Sequence, residues 1–130
     1  MVGKTVVVQD KRLHPLAAAG PEGQGVPAMG APRAPLVARM DADDVSHPRR
    51  LEEQAGFLDR NPGVTVVSCR VRHYPHTGVG EGFRVYERWL NSMLTHDEMA
   101  RQRFVESPIA HPSVMARRDA LIRAHGYRDL

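Results

Sequence analysis

The sequence predicts an α/β domain of several helices packed around few strands. Three observations carry that expectation. Two apolar, β-branched runs at residues 36–40 and 64–71 read as strands, an amphipathic helical pattern lies between them, and helical periodicity returns over much of 83–125. Strand, helix and strand in that order predict a right-handed parallel crossover. A length of 130 residues fits one domain. The composition divides it into a Gly/Pro/Ala-rich segment at 1–35 and a well-patterned remainder at 36–130.

The elements follow in order. A strand at 5–9 is indicated by Val6-Val7-Val8, but isolated. Residues 13–35 hold Gly20-Pro21, Gly23, Gly25, Pro27, Gly30, Pro32 and Pro35, and are expected to be loop or disordered, because proline removes donors and glycine weakens any regular element. Leu36-Val37-Ala38-Arg39-Met40 reads as a buried strand that empties into Asp41-Ala42-Asp43-Asp44. Pro48 suits a first helical turn, Leu51, Ala55 and Leu58 then mark an apolar face, and Asn61-Pro62-Gly63 stops the helix. After the strand at 64–71 and a turn-rich stretch at 73–82, Phe83, Tyr86, Leu90 and Met93 line one face of a second helix. Thr95 and Glu98 have the spacing of a capping box for a third. Residues 107–112 break that helix, 113–116 form a short strand, and 117–125 form a last helix closed by Gly126.

Composition narrows the function classes. Net charge is +3, from 18 Lys and Arg against 15 Asp and Glu, and the two signs are interleaved, which argues against a polyanion-binding surface. Cys69 is the single cysteine, so neither an intrachain disulfide nor a thiolate zinc site is expected. Val6-Val7-Val8 is too short for a signal peptide, and no run approaches the ~20 apolar residues of a membrane span. The expectation is a cytoplasmic protein, with any membrane association arising through partners.

The acidic cluster is the strongest chemical signal. In Asp41-Ala42-Asp43-Asp44 the first and third side chains of a turning segment can share a side, and two carboxylates suit a hard cation such as Mg²⁺ or Mn²⁺. Magnesium keeps waters and completes its shell with phosphate oxygens, so one or two protein carboxylates suffice. The competing reading is a solvated turn or helix cap.

The segment from Ala38 through Asp41-Ala42-Asp43-Asp44 to His47-Pro48-Arg49-Arg50-Leu51 resembles the DXD-containing signature of family 2 glycosyltransferases, which are built on the GT-A fold. Phe57-Leu58, Asn61-Pro62, the strand at 64–68 and Ser107-Pro108-Ile109-Ala110-His111-Pro112-Ser113-Val114-Met115 resemble further blocks of that family in order, covering 34–130. The resemblance implies a partial GT-A-like αβα sandwich with few strands. It also implies inverting transfer of a sugar from a nucleoside diphosphate donor to a hydroxyl of a saccharide or lipid-linked acceptor. By position, Asp43 is the principal ligand of a divalent metal (Mn²⁺ or Mg²⁺), Asp41 contacts donor or metal, and Asp44 is a third donor-side acid or a cap for the following helix. His111 lies in the acceptor-side block, or is a structural residue between Ala110 and Pro112. Two departures follow from the same resemblance. The family's base-binding strand is not matched in the opening segment, and its catalytic base is expected beyond Leu130, so weak or absent catalysis is expected of this chain alone.

Other classes fit less well. An EF-hand reading puts Asp41, Asp43 and Glu52 at the first, third and twelfth loop positions, but Val45 takes a ligand position, Ser46 replaces the turn glycine and Pro48 starts a helix inside the loop. A non-catalytic basic interaction module using Arg49-Arg50, Arg101 and Arg103, and Arg117-Arg118 lacks interleaved aromatics, and no nucleic-acid partner is expected. Gly3-Lys4-Thr5 lacks the upstream glycine of a phosphate loop, and His73, His76 and His96 lack metal-site spacing.

Overall fold

The computed structural model describes residues 4–7, 12–14, 34–75 and 77–124. In chain order these form β1 (Lys4–Val7), β2 (Arg12–His14), β3 (Leu36–Ala38), β4 (Val45–Ser46), α1 (Arg50–Arg60), β5 (Val66–Ser68), β6 (Val71–Tyr74), α2 (Glu81–Ser92), α3 (His96–Gln102), a 3-10 turn at His111–Ser113, β7 (Met115–Arg117) and α4 (Arg118–Arg123). The strands form two sheets, of order β2-β5-β7-β3 and β4-β1-β6. The mixed α/β architecture with short strands agrees with the expected α/β class.

Sheet topology departs from the expected crossover. β3 and β5 do not pair with each other. Each pairs antiparallel with β7, which lies between them, with Val37 opposite Ala116 and Val67 opposite Met115. The two strands still run in the same direction, so α1 joins parallel strands with an antiparallel one inserted. The expected single strand at 64–71 is also divided. Val66, Val67 and Ser68 are buried in the larger sheet, and after Cys69 and Arg70 the chain enters the smaller one. Asn91 on α2 holds the start of β6 by both backbone groups, donating to the Val71 carbonyl at 2.7 Å and accepting its N–H at 3.0 Å.

The opening segment contains two strands. β1 is not isolated: it runs parallel to β4 and antiparallel to β6. β2, which overlaps the start of the stretch expected to be loop, pairs antiparallel with β5. The rest of the expected loop from residue 15 to 33, together with His76 and Gly126, lies outside the described residues.

Two apolar clusters form the core. Leu58, Val67 and Met115 pack with Leu36, Ala55, Phe57 and Val64 where α1 meets the larger sheet. Cys69, Val71, Leu90, Met93 and Met99 pack with Tyr86, Trp89, Ile109 and Ala110 where α2 and α3 close over the chain. Phe83, expected on the buried face of α2, is half exposed instead, against the ring of His73. The α1 face is likewise rotated by one position from the expected Leu51, Ala55, Leu58 stripe. Its fully buried positions are Arg50, Gln54 and Leu58, while Leu51 is 54% exposed. Spacing of i, i+4, i+8 puts those three on one side of a helix, but two of them are polar and carry no apolar signal.

Helix ends are satisfied by side chains. Thr95 and Glu98 form the expected capping box, and the Leu94 and Thr95 amides hold the Glu98 carboxyl below its usual range. At the C-terminus of α1, Arg117 donates to the carbonyls of Leu58 at 2.7 Å and Val64 at 2.8 Å, while Asn61 donates to Phe57 at 2.8 Å. These bonds take up carbonyls that a terminating helix leaves without intrahelical partners. Because Leu58 has no exposed surface, Leu58→Ala is expected to destabilise the domain by about 2–5 kcal/mol, read from urea unfolding followed by circular dichroism.

Candidate functional site

The acidic turn stands where β3 leaves the larger sheet. The Arg39 N–H donates to the Val114 carbonyl at 2.9 Å, one step past the last β3 pair, so the strand is anchored up to the residue before Met40. The chain then turns, with the Asp44 N–H donating to the Asp41 carbonyl at 3.2 Å, and enters β4 at Val45. The turn therefore links the two sheets, and its acids are presented at the carboxyl end of β3.

The three acids have different surroundings. Asp43 is exposed at the tip. Asp41 keeps 40% of its side-chain surface exposed and stands 3.7 Å from the Arg39 guanidinium. Asp44 turns inward, its Oδ2 buried, close enough to Arg50 to favour that guanidinium's charge. It does not cap α1, whose first helical residue is Arg50 and whose N-cap Arg49 makes no side-chain capping bond.

His111 is brought to the same place by the 3-10 turn before β7. Arg39 Nη1 lies 3.2 Å from His111 Nδ1. A guanidinium can only donate, so Nδ1 accepts and the neutral ring carries its proton on Nε2. Nε2 faces Ser107 Oγ at 3.5 Å, and that hydroxyl itself donates to the Ile109 carbonyl at 3.0 Å. Arg39 thus spans Asp41 and His111, two positions seventy residues apart in the chain. Burial pushes the His111 pKa down, and the Arg39 charge pushes it further, against a smaller opposing pull from Asp41.

Beneath this surface lies a polar layer. Arg50 is 1% exposed and donates to the Arg39 carbonyl at 2.6 Å, the Pro112 carbonyl at 2.9 Å and Gln54 Oε1 at 3.1 Å. Gln54 Nε2 donates to the Ser113 carbonyl at 2.8 Å, and Ser113 Oγ donates to Ala110 at 2.6 Å. Sequence reasoning missed Arg39, Arg50, Gln54 and Ser113. The available signal was the i, i+4 spacing of Arg50 and Gln54 with Leu58, on the helix that follows the acids.

The family model of Glycosyl transferase family 2 matches residues 27–126, which include the acidic turn and the His111 segment. The chain belongs to glycosyl transferase family 2. Curated relatives of this family 2 chain include the putative glycosyltransferase EpsE of Bacillus subtilis (strain 168), 34% identical over 72% of this chain and 31% of that protein. The amylovoran biosynthesis glycosyltransferase AmsE of Erwinia amylovora is 28% identical over 72% and 32%. The bifunctional glycosyltransferase pgtA of Dictyostelium discoideum is 24% identical over 76% and 16%. The family 2 chain thus spans about a third or less of the length of these relatives. No solved structure matches it significantly.

Two features bear on the other function classes. Of the arginines that suggested a basic surface, Arg50 and Arg117 are spent on backbone carbonyls inside the domain, and Arg49 pairs with Glu53 at 2.8 Å. Among the described residues no helix is long and apolar enough to cross a membrane.

The His111 shift has a sign that can be checked. Its folded pKa lies below the ordinary 6.5, so near and below that value the unfolded chain binds more protons than the folded one. Stability is therefore expected to fall as pH drops through about 6.5, and His111→Gln is expected to flatten that part of the curve, measured by urea unfolding across the range.

Proposed function

We propose that this chain carries the donor-binding part of a glycosyltransferase that moves a sugar, with inversion, from a nucleoside diphosphate to an acceptor hydroxyl. The observation that carries this reading is the pair Asp41 and Asp43 on an open turn at the end of β3, within a chain of family 2. Open α/β sheets bind ligands outside the carboxyl ends of their strands, which is where this turn stands.

The donor set fits a divalent cation held jointly with a diphosphate. Both carboxylates are accessible hard oxygen donors, and among the described residues there is no cluster of three His, Cys, Asp or Glu that could form an all-protein cage. Two carboxylates with waters and phosphate oxygens are the set expected for Mg²⁺ or Mn²⁺. Asp43 and Asp41 would hold the ion, which, when bound, stabilises charge developing on the leaving diphosphate. Asp44, turned toward Arg50, is left out of that set. Arg39 supplies a fixed positive charge beside Asp41 and orients His111, whose Nε2–H is directed at Ser107 Oγ. The acceptor is a saccharide or a lipid-linked saccharide. The sugar and the nucleotide are set by contacts outside these residues.

Calorimetric titration of the chain with UDP, GDP, ADP and CDP provides the test. At least one nucleotide is expected to bind more tightly with Mn²⁺ present, and Asp43→Asn is expected to remove that gain, a loss of about 1.4 kcal/mol or more, equivalent to tenfold. If metal leaves every affinity unchanged in the wild-type chain, the donor-site reading is wrong.

A further inference from the structure

We propose that Arg50 is the positioning residue of this site: one buried guanidinium bridges the backbone on which the acidic turn is rooted and the backbone that carries His111, so that α1 sets the separation of the two. The metal-and-diphosphate role of the turn rests on the reading above, whereas the bridge itself rests on geometry alone.

Arg50 reaches two separate chain segments at once. Its Nη2 donates to the Arg39 carbonyl at 2.6 Å and its Nη1 to the Pro112 carbonyl at 2.9 Å. Arg39 is two residues before Asp41, and Pro112 is the residue after His111. The third donor, Nε, goes to Gln54 one helical turn later, and Gln54 passes the constraint on through its 2.8 Å bond to the Ser113 carbonyl. A planar fork of donors fixes two acceptors in both distance and angle, which a single ammonium cannot do.

The arrangement is costly, and therefore informative. A fully buried cation loses its hydration, and burial accordingly pulls the Arg50 pKa below its ordinary value, with Cys69 and the inward-turned Asp44 opposing. An apolar side chain at this position of α1 would avoid that cost and still lie on the same buried face as Leu58. What the guanidinium adds is alignment: it fixes the Arg39 backbone, and the Arg39 side chain in turn touches both Asp41 and His111. Groups that orient ligand-bearing residues in this way typically alter metal affinity by about 10- to 100-fold when replaced.

The test uses the full chain carrying Arg50→Lys, with Leu58→Ala as a control of comparable destabilisation away from the turn, both studied at a temperature where circular dichroism shows them folded. Ring ¹⁵N shifts of His111 report whether Nδ1 remains the acceptor. Arg50→Lys is expected to mix the His111 tautomers and to weaken Mn²⁺-dependent binding of the best nucleoside diphosphate about 10- to 100-fold. Leu58→Ala is expected to change neither. If Arg50→Lys does not fold, Gln54→Leu, which removes one brace and keeps the fork, is expected to shift both readings in the same direction by less. The proposal is overturned if Arg50→Lys, or Gln54→Leu in its place, lowers only the unfolding midpoint, or if Leu58→Ala moves both readings equally. Should the wild-type chain bind no diphosphate at all, the donor reading fails, while the His111 shifts still decide the role of Arg50.

Discussion

A buried positive charge organises this domain. Arg50 sits on the first turn of α1 with almost no exposed surface, yet it donates to backbone oxygens just past β3 and on the turn before β7. Apolar packing between α1 and the larger sheet, through Leu58, Val67 and Met115, holds the helix against the strands further along its length. Without a solvent to replace them, the hydrogen bonds at Arg39 and Pro112 become strong constraints, because breaking either would leave a polar group unsatisfied in the interior. The acidic turn and the His111 segment are thereby joined through α1.

Arg117 does the same work at the other end of α1. Its guanidinium gathers the carbonyls of Leu58 and Val64, so the helix C-terminus is closed by a residue on β7 together with the local cap that Asn61 provides. Both ends of the helix are thus tied by arginine to strands β3 and β7, which are already neighbours in the sheet. The fold is small, with strands of two to four residues, and such short strands contribute few ladder bonds. Side chain to backbone bonds from the helices supply part of what the short ladders do not.

The stretch matched by the family model includes both the acidic turn and the His111 segment. The acids and the His111 segment lie far apart in the chain and are brought together by the pairing of β3 with β7. Arg39 then makes direct contact with members of both. Charges of opposite sign are distributed so that Asp43 stays exposed, Asp41 is partly balanced by Arg39, and Asp44 faces the interior beside Arg50. Three acids that look equivalent in the sequence therefore have three different environments.

Local signals determined much of this. The helices were legible because apolar spacing, the Asn61-Pro62-Gly63 stop and the Thr95–Glu98 capping box are properties of neighbouring residues and act over a single turn. The acid pair was legible for the same reason, since Asp41, Ala42 and Asp43 lie on one short segment. Tertiary structure alone decided the insertion of β7 between β3 and β5, the division of the expected strand at 64–71 between two sheets, and the burial of Arg50 and Gln54 in place of Leu51. Strand partners depend on contacts between residues far apart in the chain, which no local periodicity encodes. A polar side chain can be buried wherever distant backbone oxygens converge on it, so the helix face that matters here was fixed by carbonyls on other elements rather than by the hydrophobicity of its own sequence.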